Sequence, residues 1–521
     1  MIRYKKWNGD RKMKKLFLSL AMLLLWIPTS LWAYESIPPY HWTYHSLEVL
    51  SHKALINEKV VPGESSFTKE ETAGMIINSL EKISAEPSLM DDDVLCVMRQ
   101  LINGYGNELE AKGRDLENTR TKLEDLALAA GLSAIDTTAA GSEERPLSFQ
   151  AAKAVNKFTF SLYRDLSSKS VNGFLISPYS ISSALSMTYA GAADKTAKEM
   201  ENVLHFDPDI HRSMAALMND ISSVPEGTAA IKTANALWPT KEEILRESYR
   251  NKLSRFYRAS LTPLDYSHHT EEARAAINKW VKKETQDKIT EMIGEGILNK
   301  DTSLVLTNAL YFRSEWMKKF EPGDSRAMPF YATPSEPVPT VMMTKTESGI
   351  RYLKEEGIEI AEIPYKDGRF SMLLLLPREG TDLRKIEKKL DYTKFIEWTT
   401  LMSPKKVKLT IPKFKTEESL ELSEALKRMG IKEAFDQGIA DFSGINGKKN
   451  MYIGAAIHKT FIEVGEEGTE AAAATAVIMT KTSMAPDAED IVEFKADRPF
   501  IYIIRDNLTG AIIFIGRCTR P

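Results

Sequence analysis

The sequence predicts an α+β protein with large antiparallel sheets, preceded by a small all-helical unit. Three observations carry this reading. The 521 residues exceed one ordinary domain, which takes about 100 to 200, so two folded units are expected. Up to about residue 130 the apolar residues follow helical spacing, with no alternating strand pattern. From Phe149 onward amphipathic helices come early and strand-like runs late, an order that suits segregated helices and sheets better than a doubly wound nucleotide fold. With 43% hydrophobic and 27% charged residues the composition is that of a globular protein, which excludes a disordered tail, a collagen and a membrane channel. A net charge of −3 provides no basic field, so nucleic acid is not expected as a partner. Cys96 and Cys518 are too few for a disulfide framework or a four-ligand zinc site and read as free, buried thiols.

The first element is an address. Lys14 and Lys15 precede the apolar run Leu16 to Ile27, too short for a span of about 20 residues, and Pro28 breaks it. Residues 1–33 therefore read as a signal peptide, with Leu31 and Ala33 at the cleavage site and Met13 as an alternative start. Export follows, to the extracellular space or to a bacterial cell envelope or periplasm. No cysteine follows the run, which argues against a lipid anchor.

Residues 34–132 form the helical unit. His41-Trp42-Thr43-Tyr44, then Leu47, Val49 and Leu50, Ala54-Leu55-Ile56 and Phe67 to Ala73 together resemble a single S-layer-homology module. That resemblance implies a cell-wall or envelope component as a partner, although Val61 to Ser66 departs from the family's glycine-and-aspartate turn. Ile102, Leu109, Leu116 and Leu123 recur every seven residues, as along one edge of an amphipathic or coiled-coil helix, with Gly104, Gly106 and Gly113 weakening it. Packing within the module is the expectation. Residues 133–148, with Thr137, Thr138, Gly141 and Ser142, have linker composition, and residues 149–521 form the large domain.

In that domain Phe158, Leu162 and Leu166 mark a helix. Leu304 to Phe312, Met372 to Leu376, Val407 to Ile411 and Phe500 to Ile504 read as strands. Phosphate-binding glycine loops, a His-Glu-x-x-His zinc helix and a Gly-x-Ser-x-Gly elbow are all missing from the chain. The adjacent His268 and His269 sit among polar residues and read as a solvated loop rather than a metal site. His458, inside the apolar stretch Met451 to Val464, is either a buried, hydrogen-bonded histidine or a general base. No serine or cysteine motif supplies a nucleophile beside it, which favours the structural role. Neither a metal nor a cofactor is expected.

The unusual stretch is Gly468 to Ile478. An alanine-rich run is ordinarily helical. Read as a strand, it places Thr469, Ala471, Ala473, Thr475 and Val477 on one face, all small or apolar, with Glu470 at the margin of the other. Such a strand enters a packed sheet without burying a charge. Thr480 to Asp490 is polar and holds Pro486, as an exposed loop would.

Along the large domain the chain resembles a serpin. The hinge Glu466-Glu467-Gly468-Thr469-Glu470-Ala471-Ala472-Ala473-Ala474-Thr475 has the pattern of the inhibitory members. Asn172 to Ser180, Thr233 to Trp238, Asn278 to Val281, Thr307 to Phe312, Ile363 to Tyr365, Leu409 to Phe414, Asp441 to Ser443 and Asp497 to Phe500 agree in order. The resemblance implies helices plus three β-sheets and an exposed reactive-centre loop. It implies no enzyme but a monomeric suicide substrate that traps a serine, less readily a cysteine, protease by inserting its cleaved loop as a strand. By position match Ser177, Ser180, Asn308 and His458 form the polar cluster where the sheet parts, and Trp316 marks where insertion begins. The family's hinge-to-cleavage length sets the scissile bond at Thr482-Ser483, which favours an elastase-like or subtilisin-like target; Lys481 and Met484 are the alternative residues to precede the cut. A non-inhibitory serpin (carrier, storage or chaperone) and, more remotely, a hydrolase built on His458 are the rival readings.

Overall fold

The computed structural model describes residues 42–60, 65–130, 147–207, 209–223, 229–257, 260–285, 287–333, 335–469 and 491–521. The expected signal peptide, most of the linker, hinge residues 470–475 and residues 481–484 lie outside the described residues.

The first unit is helical, as expected: α1 (Trp42–His52), α2 (Lys69–Ala85), α3 (Asp92–Gly104), α4 (Gly106–Ala111) and α5 (Leu116–Ala129). Thr68 starts α2 through a capping box, its hydroxyl accepting from the Glu71 amide while Glu71 accepts from the Thr68 amide. Tyr44, Leu47, Ile76, Leu80 and Leu101 fill a core of their own. The seven-residue stripe packs into this core, but on three helices rather than one: Ile102 lies on α3, Leu109 on α4, and Leu116 and Leu123 on α5. A break follows Gly104, and Gly113 takes a positive φ of 75°, so the chain turns twice within the repeat.

In the large domain, helix α6 (Leu147–Lys169) begins two residues before the expected boundary, and Ser148 and Phe149 are already buried. After it come β1 (Phe174–Ile176), α7 (Pro178–Tyr189), α8 (Asp194–Leu204), α9 (Ile210–Ser222), β2 (Ala229–Pro239), α10 (Glu247–Tyr257), β3 (Ser260–Leu261) and α11 (Thr270–Glu284). Strands then dominate: β4 (Leu304–Glu315), β5 (Arg326–Thr333), β6 (Glu336–Glu355), β7 (Ile358–Pro364), β8 (Phe370–Pro377), β9 (Ser403–Pro412) and β10 (Phe414–Glu421). Helices α12 (Leu383–Lys389) and α13 (Tyr392–Leu401) sit between β8 and β9, and α14 (Ser423–Met429) and α15 (Ser443–Asn446) follow β10. The chain closes with β11 (Ala455–Val464), β12 (Gly468–Thr469), β13 (Val492–Lys495), β14 (Phe500–Asp506) and β15 (Ile512–Cys518). All four strands expected from the sequence lie within β4, β8, β9 and β14. Every residue of β8 is buried, which is why its sequence reads as an unbroken apolar run rather than an alternation.

These strands make two hydrogen-bonded sheets where three were expected. A nine-stranded sheet runs β1-β15-β14-β8-β7-β6-β9-β13, with β5 added on β6; a six-stranded sheet runs β10-β11-β12-β4-β2-β3. The physical reason is β6, whose 20 residues pair with β5 at one end and β7 at the other, so two sheets become continuous. Its ladder with β9 is irregular between Glu347 and Ile350, where Gly349 takes a φ of 83°. Both sheets share one core with α6 and α7, while α11 covers the outer face of the six-stranded sheet through Ile277 and Val281 against Trp238 and Val305. Helix α3 of the first unit lies against α13 and β9. Cys518 is a buried free thiol, and nothing is described of the Cys96 side chain.

Candidate functional site

The six-stranded sheet has a split in its middle. Strands β11 and β4 are parallel from Ala455 opposite Val305 to Thr460 opposite Leu310, although antiparallel pairing is the easier ladder. Above this level they part around β12. There Thr469 stands opposite Val464 on one side and Ser314 on the other, and Gly468 stands opposite Glu315, each pairing antiparallel. Two residues of a new strand thus occupy the one slot whose filling makes both neighbouring ladders antiparallel.

Local sequence explains why this segment turns in here. Gly468 has a φ of 155°, and a Cβ on it would lie 2.1 Å from the Ser314 carbonyl oxygen, so only glycine fits. The Gly465 amide donates to the Gly468 carbonyl at 2.9 Å and closes the turn. On the approach, the amides of Phe320 and Trp316 donate to the carbonyls of Glu466 and Glu467, and the Trp316 indole donates to the Gly465 carbonyl at 2.9 Å. The Glu466 carboxylate accepts from Ser325 at 2.8 Å and meets Lys413 at 2.6 Å; burial pushes its pKa up, but these partners hold it below the usual carboxylate value. Glu467 pairs with Lys319 at 2.5 Å, which raises the lysine pKa. Thr469 is fully buried, with its hydroxyl 2.5 Å from that of Tyr365, whose ring stacks on Trp316 at 4.5 Å.

The expected polar cluster comes together lower in the same split. The Ser177 amide donates to His458 Nε2 at 2.9 Å, so the ring proton resides on Nδ1 and is donated to Asn308 Oδ1 at 2.6 Å. Asn308 Nδ2 donates at 2.5 Å to both Ser180 Oγ and Asn235 Oδ1, and Asn235 donates to Ser183. Burial pushes the His458 pKa down to about 3, and the bond to Asn308 opposes this only in part. The Ser177 hydroxyl is turned away to the Ile513 carbonyl, so among the described residues no hydroxyl or thiol bonds the His458 ring and the general-base reading fails. Trp316 lies one strand-end above, beside the hinge rather than within the cluster.

Sequence reasoning missed four participants. Asn235 carried a signal, since an amide in the middle of the apolar run Thr233 to Trp238 is out of place in a strand. Tyr365, Lys413 and Ser325 carried none, because each acts only through partners 49 or more residues distant.

Comparison with known proteins agrees with this geometry. The model of the family Serpin (serine protease inhibitor) matches residues 153–521. The chain belongs to the serpin family. Leukocyte elastase inhibitor of Xenopus laevis is 37% identical to this serpin over 378 residues, covering 71% of this chain and 99% of that protein. Among solved structures, uncleaved ovalbumin is 30% identical with a TM-score of 0.65, covering 71% of this chain and 99% of its own. Human thyroxine-binding globulin complexed with thyroxine is 26% identical with a TM-score of 0.65, covering 72% of this chain and 99% of its own. Serpins are suicide-substrate inhibitors rather than catalytic enzymes. The matches leave residues 42–130 outside the family region, and the S-layer-homology likeness of that unit rests on its sequence alone.

Proposed function

We propose that this serpin inhibits a serine endopeptidase by irreversible covalent trapping, with Thr482-Ser483 as the scissile bond. One observation carries the reading: Gly468 and Thr469 are the first two rungs of a strand between β11 and β4. Continuing that register one residue at a time runs residues 470–479 along β4 from Arg313 to Leu304 and sets Thr475 between Asn308 and His458. Ala471, Ala473, Thr475 and Val477 then face inward with Phe312, Leu310, Asn308 and Leu306, all buried. Small side chains are what a packed interior admits there.

The chemistry divides between the two proteins. The protease serine attacks the Thr482 carbonyl, the bond to the Ser483 nitrogen breaks, and the acyl-enzyme stays attached to the released strand. Insertion satisfies the backbone groups of residues 470–479 on both sides at once and replaces a parallel ladder with two antiparallel ones. Thr482 lies thirteen steps beyond Thr469, so in the inserted strand the acylated protease ends about 44 Å from Thr469 at roughly 3.4 Å per residue. The Asn308 and His458 contact must open for Thr475 to enter, which makes that bond a gate.

A small residue at 482 and the likeness to an elastase inhibitor support an elastase-like or subtilisin-like target. The likeness to a hormone-binding globulin supports a carrier role instead, but the small inward residues from Ala471 to Val477 favour inhibition. Export through residues 1–33, attachment to an envelope polymer through residues 34–132, and action as a monomer belong to the same proposal. Incubation with elastase-, subtilisin-, chymotrypsin- and trypsin-like enzymes should give an SDS-resistant adduct with at least one of them. Mass spectrometry of the peptide released from the denatured adduct should find a fragment beginning at Ser483. Cleavage that leaves every protease fully active would refute inhibition, and a fragment beginning at Thr482 or Ala485 would move the scissile bond.

A further inference from the structure

We propose that Glu242, Asp265 and His268 form a binding site for a divalent transition-metal ion of the zinc type. Read alone, the His268-His269 pair is a solvated loop; the fold changes this by bringing Glu242, 26 residues earlier, beside it. One donor atom from each of Glu242, Asp265 and His268 lies within 4.8 Å of the other two.

The three side chains stand on backbone that is already fixed. Glu242 follows the end of β2 and Asp265 precedes α11, and the two segments are tied by a bridge from Thr240 to Leu264. The Lys241 amide donates to the Leu264 carbonyl at 2.8 Å, the Leu264 amide to Pro239 at 2.9 Å, and the Tyr266 hydroxyl to the Trp238 carbonyl at 2.8 Å. Asp265 is oriented through both oxygens: Oδ1 accepts from the His268 amide at 3.0 Å, and Oδ2 meets the Lys241 ammonium at 2.7 Å. The same Oδ1, with a second lone pair, also lies 3.5 Å from His268 Nδ1. His269 lies 3.9 Å from Asp265 Oδ2 and 3.5 Å from Glu272.

The donor set selects the metal class. Two carboxylates and one imidazole leave a fourth tetrahedral position for water or His269, which suits Zn²⁺ or Co²⁺. Ca²⁺ and Mg²⁺ prefer all-oxygen shells, so the imidazole nitrogen selects against them. Glu242 is exposed and the His268 side chain is 75% exposed, so an ion reaches them without any opening of the fold. Bound there, it would join the end of β2 to the segment leading into α11, the helix that covers the sheet in which the hinge sits.

The test is Co²⁺ titration of the full chain, read by visible absorption. The intact protein should develop a saturable band that Zn²⁺ displaces, and His268→Ala should lose it while remaining folded by circular dichroism. Glu242→Gln and Asp265→Asn should each weaken Co²⁺ binding by about tenfold or more, the loss expected when a ligand is removed. Zn²⁺ should raise the melting temperature of the intact protein and leave that of His268→Ala unchanged. A Co²⁺ spectrum identical to that of the free ion, or the same binding isotherm in His268→Ala as in the natural chain, would overturn the proposal.

Discussion

Thr469 holds its hydroxyl 2.5 Å from that of Tyr365, with both side chains fully buried. The hinge of this serpin is therefore already committed to the sheet at its first inward position. Tyr365 is in turn stacked on Trp316, whose indole holds the Gly465 carbonyl, so one aromatic pair grips both sides of the turn. Propagation of the strand beyond Thr469 needs no new nucleus, only the parting of β11 from β4.

Replacing Thr469 by arginine should convert the inhibitor into a substrate. The guanidinium would have to be buried beside Tyr365, and burying an unpaired charge costs several kcal/mol. Each 1.4 kcal/mol added to the insertion barrier slows insertion about tenfold against deacylation. The measurement is the number of serpin molecules consumed per protease trapped, which should rise by about tenfold or more, while Thr469→Ser stays close to the natural protein. Unchanged trapping by the arginine variant would mean that position 469 does not lead the insertion.

His458 gives the fold a predictable response to acid. Its pKa is held near 3 in the folded state against an ordinary 6.5, so between these values the unfolded chain binds the extra proton. Stability is thus fully present above about pH 6.5 and falls as the pH drops toward 3, by up to about 1.4 kcal/mol per pH unit. Urea midpoints between pH 6.5 and 4.5 should fall for the natural protein and fall less steeply for His458→Gln. Burial also pushes the His211 pKa down to about 4, and Glu466 is held below its ordinary value, but both act alike in the two proteins, so the difference in slope isolates His458. Equal slopes in the two proteins would show that His458 is not the group responsible.

What the sequence disclosed and what it withheld divide along a physical line. Gly468 and Thr469 were legible because backbone freedom and side-chain size are local properties. The run of β8 was legible because a strand buried on both faces must be apolar throughout. His458 stood out as a polar group inside an apolar stretch, the serpin resemblance supplied Asn308, and the two do meet. The parallel register of β11 and β4, the ion pair between Lys413 and Glu466, and the approach of Glu242 to His268 depend on contacts between distant segments, which no local pattern encodes. The stripe from Ile102 to Leu123 failed differently: seven-residue spacing counts positions and does not register that the chain turns between them.

The helical unit should be separable from the serpin domain. Its core is its own, the family region begins only at residue 153, and its main contact with the body is α3 against α13 and β9. A shortened chain beginning at Gly141 should fold and trap protease with the same stoichiometry. Any envelope retention should stay with residues 34–132. Failure of the shortened chain to inhibit would place the unit within the inhibitory machinery.

The central claim is that the segment after Thr469 belongs in the slot between β11 and β4, and that the intact protein is held short of that state. Melting temperature before and after a single cut between Ile478 and Asp487 tests it most directly. Nicking a loop ordinarily leaves stability equal or lower, whereas here the freed segment would complete the six-stranded sheet and relieve a kinetic trap. The account predicts a clear rise in the transition of the cleaved protein; an equal or lower transition would contradict it.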